Sequence, residues 1–173
     1  MQHRSVRTMV QCAFFAALMA VCAQLMLPVP PVPVNLALMA VHLCTAMLGT
    51  RKALIAVAVY LLMGLFGLPV FAALSGGPGV LLGPSGGYLA GYMLCVLITG
   101  RLLRCRRTAV FFPAMAAGTL GCYAAGVCWY MHLTGTTLLP ALSVCVLPFL
   151  PGDVLKILLA ALLARRLRHV IRS

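Results

Sequence analysis

Short basic runs divide this chain into long apolar blocks, and one carboxylate, Asp153, is all that is set against thirteen Lys and Arg. A soluble domain needs a charged coat of about 25% of its residues. Here charged residues make up 8% and mean hydropathy is +1.11, so the chain belongs in lipid. Its 173 residues suffice for a single all-α domain over 1–173, with six spans of ~20 residues each and short loops.

The net charge of +12 does not indicate nucleic acid. No aromatic residues interleave with Arg4 and Arg7, Arg51 and Lys52, Arg101, Arg104, Arg106 and Arg107, or Arg165, Arg166, Arg168 and Arg172, as base stacking would need. The apolar blocks predict spans near 8–27, 35–48, 53–68, 86–103, 109–133 and from 152–153 to the tail. Between them lie PVPPVPV (28–34), GTRK (49–52), a Gly/Pro segment (68–88), RCRRT (104–108) and TGTTLLP (134–140), with ALSVCVLPFLP (141–151) as a short helix or re-entrant piece. Cytoplasmic N- and C-termini put every basic run inside and leave Lys156 as the exception, as the positive-inside rule demands.

Nothing suggests catalysis. One carboxylate makes no acid/base pair, no phosphate-binding GxxxxGK[ST] occurs, and the eight cysteines show no CxxC spacing for metal. They read as small apolar filler between helices. His42 and His132 read as packing or interfacial residues, Trp129 and Tyr130 as an aromatic belt, and Asn35 as a helix cap.

Three features carry the functional reading. Asp153 and Lys156 are at i and i+3, so they share a helix face. A lysine at the bilayer centre costs about 2.5–3.5 kcal/mol, less near the edge. Either Asp153 caps the helix and Lys156 snorkels outward, or the pair faces inward and holds a ligand. The Gly/Pro segment, with Phe71 and Tyr88, is either a plain loop or a lid over a cavity, and Ser85 is a candidate cap for the span that follows. Ala13 and Ala17, and Ala16 and Ala20, are each four apart; such small-residue faces admit a helix of this chain or of a separate membrane subunit.

FAALMAV (15–21), LPVPPVPV (27–34), LLMGLFGLPVFA (61–72), GPSGGYLAGY (83–92) and PGDVLKILLAALLA (151–164) occur in an order that resembles the BioY family, the biotin-specific S component of energy-coupling factor (ECF) transporters. The stretch 104–148 matches only in hydropathy. The resemblance implies a six-helix S-component fold in the cell membrane that captures biotin from outside and has no enzymatic activity or cofactor of its own. It implies a transmembrane coupling subunit and two ATP-hydrolysing subunits as partners. By position it makes Asp153 and Lys156 the polar ligand contacts, Gly83, Ser85, Gly86, Gly87 and Tyr88 part of the loop closing over the site, and Ala13, Ala16, Ala17 and Ala20 the docking face. Ser75 stands in for a loop asparagine that this chain lacks. Lys156 is then a partner for the biotin carboxylate, and Asp153 either accepts from the ureido N–H groups or orients Lys156. The rival readings are an S component for another small vitamin, a stand-alone ion-coupled carrier using Asp153 as the proton site, and a purely structural membrane subunit.

Overall fold

The computed structural model describes residues 2–27, 34–105 and 110–172. Most of the proline run PVPPVPV, and Arg106 and Arg107 of the basic turn, lie outside the described residues. Eight α-helices occur among those described: α1 (Gln2–Gln24), α2 (Ala37–Leu48), α3 (Thr50–Leu65), α4 (Pro78–Leu82), α5 (Gly86–Leu102), α6 (Phe111–Thr134), α7 (Leu138–Cys145) and α8 (Leu150–Arg172). The only paired strands described are two-residue pieces, Met26–Leu27 against Val34–Asn35, which bring the end of α1 beside the start of α2.

Each of the six expected spans overlaps one helix, in order α1, α2, α3, α5, α6 and α8. Their lengths differ from the expectation. Val6–Gln24 and Phe111–Thr134 are each long and apolar enough to cross a membrane alone, and α7 with the first part of α8 forms a pair bent by 55°. With 12 residues, α2 reaches only about 18 Å at 1.5 Å per residue. The Gly/Pro segment is also more regular than its composition suggests. It holds a 3-10 turn at Ala72–Leu74 and the one-turn helix α4, whose first residue is Pro78.

Among the described helices, α5 and α6 make the most extensive contact. Gly87, Gly91 and Cys95 recur every four residues on α5, facing Gly118, Cys122 and Gly126 at the same spacing on α6. A Cβ on Gly91 would sit 3.0 Å from the Cys122 carbonyl oxygen, and one on Gly118 would sit 3.1 Å from that of Cys95. This is small-xxx-small packing, for which cysteine is small enough to serve. Cys12, Cys22, Cys44, Cys95, Cys122 and Cys145 are buried and free.

Deep in the bundle, His42 of α2 is fully buried, and its Nε2 lies 2.9 Å from Thr119 Oγ1 on α6. Cys95 Sγ stands 3.7 Å from the other ring nitrogen, and Thr99 Oγ1 donates to the Ala114 carbonyl. A polar group in an apolar core must be partnered, and this cluster ties α2 to α5 and α6 in one register.

Candidate functional site

At the end of the bundle where α1 and α6 finish and α5 and α8 begin, a cavity of about 290 Å³ opens. This is near the lower end of the ~300–1,000 Å³ typical of small-molecule sites. Its aromatic wall is Tyr60 of α3, Phe71 of the loop, Tyr88 and Tyr92 of α5, Tyr123 of α6, and Phe149 just before α8. Asn35, Ser75, Ser85, Asp153 and Lys156 are polar residues in its lining, and the last two are its only charges among the described residues.

The position of Asp153 follows from where α8 starts. The helix begins at Leu150, and the Asp153 N–H already donates to the Phe149 carbonyl at 2.8 Å. The carboxylate therefore does not cap the helix. Its Oδ1 accepts from Lys156 Nζ at 2.6 Å, and its Oδ2 accepts from the Tyr123 hydroxyl at 2.5 Å. Asp153 is 4% exposed and Lys156 7%, so the pair is turned inward and the snorkelling alternative does not hold. The ammonium has three N–H groups, and Asp153 takes one.

The aromatic residues are placed by glycines outside the loop. A Cβ on Gly126 would lie 2.5 Å from the Tyr88 ring, and the Phe71 ring lies against Gly64. Tyr88 is thereby free to donate to the Cys145 carbonyl at 2.5 Å and to stack on Phe149 with centroids 5.8 Å apart. Phe71 meets Tyr60 edge-on at 5.5 Å. Over the cavity, Ala73 (φ 57) and Leu74 (φ 52) both adopt the left-handed region, at a cost of about 1–2 kcal/mol each.

Of the residues singled out in the sequence, Asp153, Lys156, Ser75, Ser85 and Tyr88 all line the cavity. Gly83, Gly86 and Gly87 do not. Gly86 instead makes room for the Leu81 carbonyl and Gly87 for Trp129 of α6, and the Gly83 carbonyl accepts from Trp129 Nε1 at 2.9 Å. Ser85 makes no side-chain cap; its hydroxyl donates to the Val80 carbonyl at 3.3 Å. Asn35 does act as a local cap, accepting from the Ala37 N–H at 3.1 Å, while it lines the cavity. The alanines of α1 split between two faces: Ala16 is 1% exposed within the core and Ala20 half-buried, while Ala13 and Ala17 are exposed. The sequence reading missed Tyr123 as Asp153's second partner, Tyr60, Tyr92 and Phe149 as walls, and Gly64 and Gly126. A tyrosine inside an apolar block was the one available signal, since its hydroxyl needs a partner when buried.

A solved structure described as the S-component for biotin from an ECF-type ABC transporter superposes with a TM-score of 0.89 and 28% identity, covering 98% of this chain and 94% of that one. A biotin transporter BioY of Thermotoga maritima is 38% identical over 169 residues, 95% of this chain and 98% of the relative. A probable biotin transporter BioY of Pyrococcus horikoshii is 33% identical over 156 residues, 90% of this chain and 93% of the relative. The fold is that of an S component, and since the BioY family model matches residues 1–173, the chain belongs to the BioY family.

Proposed function

We propose that this protein is the biotin-capturing membrane component of an ATP-driven uptake transporter. The observation that carries the reading is the aromatic-walled cavity whose only charges among the described residues are the Asp153–Lys156 pair. Biotin has an apolar fused ring for the aromatic wall, a ureido group and a carboxylate. The pair offers an acceptor beside a donor, which complements the neighbouring N–H and C=O of a ureido edge. A carboxylate would gain from Lys156 but be repelled by Asp153. The ureido end therefore goes to the pair, and the carboxylate to the loop side, where Asn35, Ser75 and Ser85 line the cavity.

The chain has no catalytic role and no cofactor; ATP is hydrolysed by two partner subunits acting through a transmembrane coupling subunit. The exposed Ala13 and Ala17 of α1 form the docking face. In the cell membrane the chain crosses six times with both termini inside. The placement of Arg51 and Lys52 at the start of α3, Arg101 and Arg104 at and just past the end of α5, and Arg165 and Arg166 in the second half of α8, none of them lining the cavity, supports that orientation. An ion-coupled carrier using Asp153 as a proton site is less well supported, because Lys156 and Tyr123 already occupy both of its oxygens.

Titration of the purified protein with biotin tests the reading. Saturable binding at about one ligand per chain is expected. Absence of biotin binding, with a lipoyl or thiamine compound bound instead, would replace biotin by another vitamin.

A further inference from the structure

Gln24, the last residue of α1, reaches across to the loop that covers the cavity. Its Nε2 donates to the Phe71 carbonyl at 2.9 Å and to the Ala20 carbonyl at 3.3 Å, and its Oε1 accepts from the Leu74 N–H at 2.9 Å. Both donors and one acceptor position of the carboxamide are thus in use. The bond to Ala20, one turn back on the same helix, aims the amide, and the other two bonds grip the loop from either side of Ala72 and Ala73.

The loop gripped in this way carries backbone strain. Ala73 and Leu74 are consecutive residues with side chains, both in the left-handed region, which only glycine visits freely. The loop's own bonds, Phe71 N–H to Ser75 carbonyl at 3.0 Å and Ser75 hydroxyl to Ala72 carbonyl at 2.6 Å, close it on itself. The Phe71 ring seats one end against Gly64 of α3, and the Gly77 N–H just past the other donates to the Gly64 carbonyl at 2.7 Å. Between these anchors, only Gln24 holds the 72–74 backbone to a helix among the described residues. Phe71, Ala72, Ala73 and Ser75 all contribute wall to the cavity.

We propose that Gln24 is a positioning residue for ligand retention. It latches the 71–75 loop to α1, keeps Ala73 and Leu74 in their strained conformation, and so keeps the wall closed over a bound ligand. A carboxamide suits this task because it sets a donor and an acceptor side by side, matching the Phe71 carbonyl and the Leu74 N–H together. Glutamate supplies only the acceptor and repels the carbonyl; methionine fills the space and supplies neither. Gln24 touches no ligand atom in this scheme and acts through the loop.

The proposal rests on the biotin reading for its kinetic probe alone, so two measurements are made on the full purified chain: release of labelled biotin chased with excess unlabelled biotin, and amide hydrogen exchange across 71–75 without ligand. Two hydrogen bonds of ordinary strength correspond to about a tenfold change. Gln24→Met is expected to speed biotin release about tenfold and to speed exchange at 71–75, with α5 and α6 exchanging as before; Gln24→Glu should fall between it and the wild type. Unchanged release and unchanged exchange in Gln24→Met would overturn the proposal. So would a fall in the fraction of protein able to bind, with the release rate unaltered, because that is what a purely structural residue would do. If the wild-type chain does not retain biotin, the ligand assignment fails, and the exchange comparison alone decides the latch.

Discussion

Tyr123 of α6 donates its hydroxyl to Oδ2 of Asp153 on α8, joining residues 30 apart in sequence at 2.5 Å. With Lys156 on Oδ1, this bond fixes the orientation of the one carboxylate and gives each of its oxygens a donor in an apolar surround. Removing the hydroxyl while keeping the ring is the direct test. A hydrogen bond to a charged group contributes about 1.5–3 kcal/mol, so Tyr123→Phe should weaken biotin binding roughly 10- to 150-fold. Calorimetric titration of the purified variant checks this.

Breaking the ion pair from one side differs from replacing it. Lys156→Ala leaves Asp153 buried without its cation, a change that costs about 3–5 kcal/mol. It should lower the melting temperature in detergent and abolish high-affinity binding. The double variant Asp153→Leu with Lys156→Met removes both charges; it should recover most of the stability, as apolar replacements of buried pairs often do, and still fail to bind biotin. Thermal unfolding and ligand titration on the same samples separate the two effects.

Ligand orientation is open to a test by ester. Biotin methyl ester lacks the carboxylate charge but keeps the ureido edge. With the ureido end at Asp153 and Lys156, the ester's affinity should fall as steeply in Lys156→Ala as that of biotin does. If Lys156 instead holds the carboxylate, the ester should bind weakly to the wild type and lose little more in the variant. Competition titrations with both compounds decide.

Gly126 gives the Tyr88 ring its place. Gly126→Ala should push that ring off Phe149 and lengthen its bond to Cys145, at a cost of about 1–3 kcal/mol for overpacking. A matching loss of biotin affinity, with the chain still folded, is the expected result of a titration paired with circular dichroism.

The alanines of α1 divide into two kinds of prediction. Ala16→Trp puts a large side chain into a fully packed core and should prevent stable folding. Ala13→Trp with Ala17→Trp lies on the exposed side. That double variant should bind biotin normally as an isolated chain yet fail in ATP-driven uptake when combined with the proposed coupling and ATP-hydrolysing subunits. Uptake assays in reconstituted vesicles provide the readout.

The lipid setting, the approximate position of each long helix, and the shared face of Asp153 and Lys156 were legible from the sequence, because hydropathy and the 3.6-residue period are properties of one segment at a time. The same information suggested that Asp153 and Ser85 could cap helices, since a cap is also a local feature. Tertiary structure decided otherwise for both: α8 starts at Leu150, and Ser85 donates to Val80. It likewise set Tyr123 on Asp153 and Gln24 on the 71–75 loop, and it fixed which small-residue rows would meet, Gly87–Gly91–Cys95 against Gly118–Cys122–Gly126 rather than the alanines of α1. A sequence period tells which side of a helix is apolar or polar. It does not tell which atom of another helix will arrive there, because that depends on how all the helices pack at once.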